Sequence, residues 1–179
     1  IRLFLRSRRM RGKEDPQRVS ERFGRTNRPR PEGPLIWIHA ASVGESVSAL
    51  PIIEHFRDTR PDLNILITTG TVTSAQILAE RLPEDVIHQF VPVDTPGAVR
   101  RFLDHWHPDL ALWMESEFWP NLIVATSRRD VPMILINASL SGRSFRSWQR
   151  APALAKALMS GFRACLAQTD EVAARLEAL

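Results

Sequence analysis

The sequence predicts an α/β domain: a parallel sheet with helices on both faces. Three observations carry this reading. Short apolar, β-branched runs alternate with stretches of helical periodicity along most of the chain. The runs are nearly all apolar, as in strands buried on both sides. The connections between them are short, as in repeated strand–helix units.

The elements follow in order. Residues 1–11 alternate Ile1, Leu3, Phe4 and Leu5 with Arg2, Arg6, Arg8 and Arg9, a pattern that suits a short amphipathic helix at a membrane surface or the positive flank of an anchor. Residues 12–34 are polar and proline-rich and read as a linker or extended arm. Residues 1–33 are thus expected as a basic arm and 34–179 as the globular domain. Leu35–His39 is the first strand, followed by a helix from Glu45 to about Arg57. Asn64–Thr68 is the second strand, and Thr73-x-x-Gln76 reads as a capping box opening the next helix. Val86–Val91 is the third strand. Thr95-Pro96 then starts a helix with proline at its first position, which Pro108 ends. Leu110–Met114, Met133–Asn137 and Ala164–Ala167 complete the strands. Helices are expected to about Arg129, over Ala153–Phe162 and after Thr169, with Ser139–Ser147 a polar loop.

Composition narrows the function. The chain has 179 residues and 44% hydrophobic content, ordinary for one domain with a real core. The single cysteine, Cys165, excludes an internal disulfide framework and is expected as a buried, inert thiol. No run of 18 apolar residues occurs. The formal charge of +4 is uneven: residues 1–30 hold 11 basic and 3 acidic residues. A basic leader on a mildly acidic globule fits an anionic surface, lipid or nucleic acid, as well as a merely solvated arm. The start at Ile1 and the end inside a helical pattern suggest a piece of a longer protein.

Five polar loops fall at the carboxyl ends of predicted strands, the edge where ligands bind in open parallel sheets. They are His39–Glu45, Thr68–Thr71, Pro92–Asp94, Glu115–Glu117 and Asn137 with the 139–146 loop. In the first, small residues Ala40, Ala41, Ser42 and Gly44 precede Glu45. Two readings of Glu45 stand side by side. Ser42-x-x-Glu45 is a capping box, in which the carboxylate turns back to its own helix. As a general base, the carboxylate would instead point into open solvent above the sheet. Glu115 and Glu117 beside Phe118-Trp119-Pro120 exceed ordinary cap chemistry, and Trp119 and Trp148 sit where an aromatic stacks on a sugar or meets an acyl chain. No phosphate-binding or dinucleotide glycine pattern occurs, and the five histidines lack zinc-ligand spacing.

Trp37-Ile38-His39-Ala40-Ala41-Ser42-Val43-Gly44-Glu45 resembles the signature of the 3-deoxy-D-manno-octulosonic acid (Kdo) transferases of lipopolysaccharide synthesis. The resemblance continues through Thr68–Ser74, Pro92–Asp94, Glu115–Asn121, Asn137–Ser141 and Arg143-Ser144, and through Gly12–Glu14 and Glu21–Gly24 of the leader. One departure is Ser139, where the family usually has Arg. The resemblance implies the N-terminal, acceptor-binding half of a GT-B glycosyltransferase, Rossmann-like, with the nucleotide-sugar domain outside this chain. It implies transfer of Kdo from CMP-Kdo to a lipid A precursor (lipid IVA), with inversion and without a metal or cofactor, at the cytoplasmic face of a bacterial inner membrane and with no nucleic-acid partner. It makes Glu45 the catalytic base and Ser42, Gly44, Thr69, Gly70, Thr71, Glu115, Glu117, Trp119, Asn137 and Arg143 the acceptor-binding set. The half alone is expected to be inactive. The alternatives are a non-catalytic α/β ligand-binding module, such as a receiver or sensor domain, and a nucleotide-dependent oxidoreductase. The first lacks a receiver's acidic cluster after strand one, the second its glycine fingerprint.

Overall fold

A computed structural model describes residues 2–115 and 117–179. Ile1 and Ser116 lie outside the described residues, as do the side chains of Arg2, Leu3 and Phe4. Six parallel strands form one sheet: β1 (Leu35–His39), β2 (Asn64–Thr69), β3 (Ile87–Phe90), β4 (Leu110–Met114), β5 (Met133–Ala138) and β6 (Phe162–Ala167). Their spatial order is β3-β2-β1-β4-β5-β6. The order reverses between β1 and β4, so the loops after these two strands flank a crevice. The α/β expectation is met, with each strand boundary within two residues of its predicted place.

The alternation of side chains along β1 builds two cores. Leu35 and Trp37 face α4 (Pro96–Trp106) and α5 (Pro120–Ser127), packing with Phe102, Leu103, Trp106 and Leu122. Ile36 and Ile38 face α2 (Val43–Thr59) and α3 (Val72–Arg81), meeting Ala49, Ile53 and Leu78. Each fully buried side chain of this kind contributes about 1.5–3 kcal/mol, which anchors β1 from both sides. Trp37 also meets Phe102 and Trp113 edge-on, at 5.0 and 5.3 Å between ring centres.

Several local expectations change. The N-cap of α3 is Thr71, which accepts the Ser74 N–H at 3.1 Å; Thr73 lies two residues later, already inside the helix. The 139–147 stretch is not a loop throughout: α6 (Gly142–Trp148) forms there, capped by Ser141, and α7 (Pro152–Met159) follows. Cys165 is exposed rather than buried, because β6 is a border strand whose outer residues have no covering layer among the described residues. α8 (Asp170–Glu177) packs on β6 and is capped by Thr169, as predicted.

The leader lies folded against the globule. α1 (Arg2–Met10) and a 3₁₀ turn at Glu21–Phe23 pack beside α4, with Leu5, Glu14 and Arg22 buried. Arg8 donates to Glu14 at 2.6 Å, and Glu14 sits 3.3 Å from Arg22. The Arg22 guanidinium donates to the Val91 carbonyl, while the Arg22 carbonyl accepts the Val93 N–H at 2.8 Å. Arg30 donates to the Trp106 carbonyl at the end of α4, where a cation suits the helix terminus.

Candidate functional site

The turn after β1 places one carboxylate at the crevice. Ser42 caps α2, its hydroxyl accepting the Glu45 N–H at 3.4 Å. Glu45 folds back, and its Oε2 accepts the Ala41 N–H at 2.7 Å. This is a capping box displaced by one residue, since the amide belongs to Ala41 rather than to Ser42. The expectation of a carboxylate in open solvent is therefore corrected: Glu45 is only 3% exposed, drawn in by that amide. The same side chain still lines an open cleft of about 430 Å³, with Glu115, Glu117, Phe118, Ser139 and Trp148. Capping and cleft-lining are thus both realised in one residue.

Burial raises the Glu45 carboxyl pKa above its ordinary value, and the charges of Glu115 and Glu117 push the same way. Hydrogen bonds from Ser42 and Ala41 oppose the rise. A carboxylate raised in this way is a better proton acceptor near neutral pH than an exposed one.

The turn after β2 closes onto this one. The Gly70 N–H donates to the Ala41 carbonyl at 3.0 Å, and a Cβ at Gly70 would stand 2.9 Å from that oxygen. Only glycine allows this approach. Thr69 is buried, its hydroxyl 2.9 Å from His88 Nε2, and Thr71 is spent on the α3 cap. Ser42, Thr69 and Thr71 therefore serve the scaffold with their hydroxyls, and Gly44 is exposed on the first turn of α2.

The other wall is built differently. Glu115 and Asn137, at the ends of neighbouring strands β4 and β5, have φ of 56° and 55°. This left-handed region disfavours glutamate more than asparagine. The Glu115 N–H is held by the Ile136 carbonyl at 2.9 Å, and the Asn137 carbonyl accepts from Gln168 at 3.1 Å. The Glu117 carbonyl accepts the Trp113 indole N–H at 2.8 Å, and its carboxylate accepts that of Trp119 at 3.2 Å. Trp119 is the N-cap of α5 but offers no side-chain cap. Asp94 supplies it: its carboxylate accepts the N–H groups of Asn121 and Leu122 at 3.1 and 2.8 Å.

Beneath Trp119 lies His39, whose ring is 6.0 Å away and nearly perpendicular. Trp37 donates to Thr68 Oγ1 at 2.9 Å, and Thr68 lies 3.0 Å from His39 Nδ1. The Thr68 hydroxyl therefore joins the indole N–H and the imidazole in one buried hydrogen-bonded set. Nε2 has no partner among the described residues. Burial, aided by Arg22, pushes the His39 pKa down to about 3, so the ring is neutral.

Of the sequence-predicted set, Glu45, Glu115 and Glu117 converge on the cleft, with Trp119 tied to its rim through Glu117. Arg143 is exposed on α6 and does not line it. Sequence reasoning missed Asp94 as a cap and Arg175 as a neighbour of the cleft. The guanidiniums of Arg146 and Arg175 each come within 3.6 Å of where a side chain on Gly142 would begin, next to the cleft-lining Ser141 and Ser144. No local pattern marks Arg175, which arrives from α8.

Residues 17–179 match the family model described as 3-deoxy-D-manno-octulosonic-acid transferase (kdotransferase). The chain is 48% identical over 148 residues to a protein of Arabidopsis thaliana named "Probable 3-deoxy-D-manno-octulosonic acid transferase, mitochondrial", covering 83% of this chain and 33% of that one. It is 37% identical over 159 residues to 3-deoxy-D-manno-octulosonic acid transferase of Rickettsia bellii (89% and 38% covered) and 35% over 157 residues to that of Haemophilus influenzae (86% and 36%). It spans about a third of the length of these curated relatives. Among solved structures, UDP-GlcNAc 2-epimerase from Neisseria meningitidis, bound to UDP-GlcNAc, superposes with a TM-score of 0.57 at 14% identity, over 82% of this chain and 43% of that one. That likeness is one of fold, in keeping with a Rossmann-like sheet. With nearly the whole sequence inside the family model, and relatives of that name at 35–48% identity over most of its length, the chain belongs to the Kdo transferases, a family of glycosyltransferases.

Proposed function

We propose that this chain is the acceptor-binding half of an inverting Kdo transferase, with Glu45 as the base that takes the proton from the acceptor hydroxyl. The observation that supports it most is the position of Glu45: a buried carboxylate, raised in pKa, held by one oxygen and bordering an open cleft. As the acceptor oxygen bonds to the anomeric carbon of Kdo, its proton passes to the carboxylate and CMP leaves from the opposite side. A base already placed within reach speeds such a step by about 10²–10⁴-fold.

The donor is CMP-Kdo, held by a second domain, and the acceptor is a lipid A precursor such as lipid IVA. Arg146 and Arg175 beside Ser141 and Ser144 suit an acceptor phosphate through charge-assisted hydrogen bonds. Glu115 and Glu117 suit sugar hydroxyls, which donate to carboxylates. The reaction needs no metal ion in this reading. The arginine-rich α1 suits the anionic cytoplasmic face of an inner membrane, where each basic residue contributes about 1 kcal/mol; no described helix is long and apolar enough to cross a membrane.

The test is Kdo transfer by the intact transferase carrying Glu45→Gln. Turnover should fall by at least about 10²-fold while the protein stays folded, and a chelator should leave wild-type turnover unchanged. Near-normal transfer by the variant would remove Glu45 from the mechanism.

A further inference from the structure

We propose that Asp94 is a positioning residue for the reaction: from the loop after β3 it fixes the Glu117–Trp119 wall of the cleft, and the arm residue Arg22 holds that loop in place. The inference rests on the cleft assignment above for its catalytic consequence, but not for its structural one.

Helix α5 has no cap from its own N-terminal residue. Its first turn begins at Pro120, directly after the cleft residues Glu117 and Phe118 and the rim residue Trp119. The four leading amides of a helix need acceptors from outside it. Proline has none to satisfy, and Trp119 offers no side-chain acceptor. The next two amides both go to the Asp94 carboxylate, and the Asn121 side chain donates to the Asp94 carbonyl at 2.9 Å. Asp94 lies just ahead of α4, whose own N-cap, Thr95, makes no side-chain cap bond. The carboxylate is thus committed to another helix, the one that carries the cleft wall.

The loop bearing Asp94 is itself clamped. Arg22 holds it on two sides, donating to the Val91 carbonyl and accepting the Val93 N–H. Arg22 is 5% exposed and backed by Glu14, which also accepts from Arg8. A continuous set of contacts therefore leads from the leader to Asp94, then to α5 and Glu117. A buried Arg–Glu pair contributes little net stability over an apolar substitute, so its use here is to fix geometry.

The experiment uses Asp94→Ala, Asp94→Asn and Arg22→Leu, read by amide hydrogen exchange and by transfer in the intact enzyme. Loss of the cap alone would speed exchange at the Asn121 and Leu122 amides that Asp94 holds and leave the turnover of the folded enzyme unchanged. The positioning role predicts more: faster exchange concentrated at residues 117–123, at least about tenfold beyond the rest of the core. It also predicts a fall in turnover of roughly 10–10²-fold, since a shift of an ångström in a positioned group costs that much. Asp94→Asn keeps one acceptor oxygen and should recover part of both effects, and Arg22→Leu should show the same pattern more weakly. Exchange at 117–123 within twofold of wild type in Asp94→Ala overturns the inference, as does unchanged turnover. If Asp94→Ala does not fold, Asp94→Asn decides by the same two readouts. Absence of Kdo transfer by the wild-type enzyme would strike the functional reading alone, because the exchange pattern reads the clamp whatever the reaction is.

Discussion

Two turns face each other across the cleft, and they are stabilised in opposite ways. The turn after β1 is held mostly by its own residues: Ser42, Ala41 and Glu45 satisfy one another within five residues, without left-handed backbone, and Gly70 braces the Ala41 carbonyl from the next turn. The turn after β4 borrows its helix cap. Glu115 sits at positive φ, Glu117 is held by indoles on either side of it, and the helix that follows is capped from the loop after β3. The first turn can hold a base still by local chemistry. The second depends on the rest of the fold, and so its position is adjustable from a distance.

The largest effect that sharpens this contrast is at Gly70. Gly70→Ala drives a Cβ against the Ala41 carbonyl, and backbone cannot easily yield there. A loss of about 1–3 kcal/mol in chemical denaturation is expected. A neutral result would show that the first turn is less rigid than its hydrogen bonds imply. Next is Ser42→Ala, which removes the α2 cap and should cost about 1 kcal/mol.

Glu115→Gly should run the other way. Relief of the left-handed glutamate makes the variant neutral to about 1 kcal/mol more stable in the same assay. A clear destabilisation would abolish the distinction between the two turns. The smallest effect is on pH. Because the Glu45 pKa is raised in the folded protein, the base form is lost as pH falls through that raised value, so the acid limb of kcat/KM should lie above the ordinary carboxylate range of about 4.3–4.5. Glu117→Gln removes one of the repelling charges and should move the limb to lower pH. The linked stability has a matching sign. The protonated form favours the fold below the unfolded pKa, and this contribution is gone above the folded one. Glu45→Gln should therefore be at least as stable as wild type at pH 8 when melting is followed by circular dichroism.

What was legible in the sequence follows the same division. The strands were readable because each is a short apolar run between turn residues, and Ser42-x-x-Glu45 announced its own cap. The convergence of Glu45, Glu115 and Glu117 followed from strand ends sharing one edge. Asp94 was visible as a polar residue at that edge, but its partners lie 27 and 28 positions away, and no local period encodes such a bond. Arg175 was hidden for the same reason. The helix at 142–148 was missed because its residues, Gly-Arg-Ser-Phe-Arg-Ser-Trp, lack an apolar repeat; the Ser141 cap was the one available signal.

The neutral imidazole beneath Trp119 has a consequence for measurement. Burial holds the pKa of His39, like that of His88 beside Thr69, down at about 3. Neither ring changes charge between pH 5 and 8. An inflection seen in that interval at this border of the sheet belongs to neither imidazole, and an infrared band of a protonated acid would show whether Glu45 is its source.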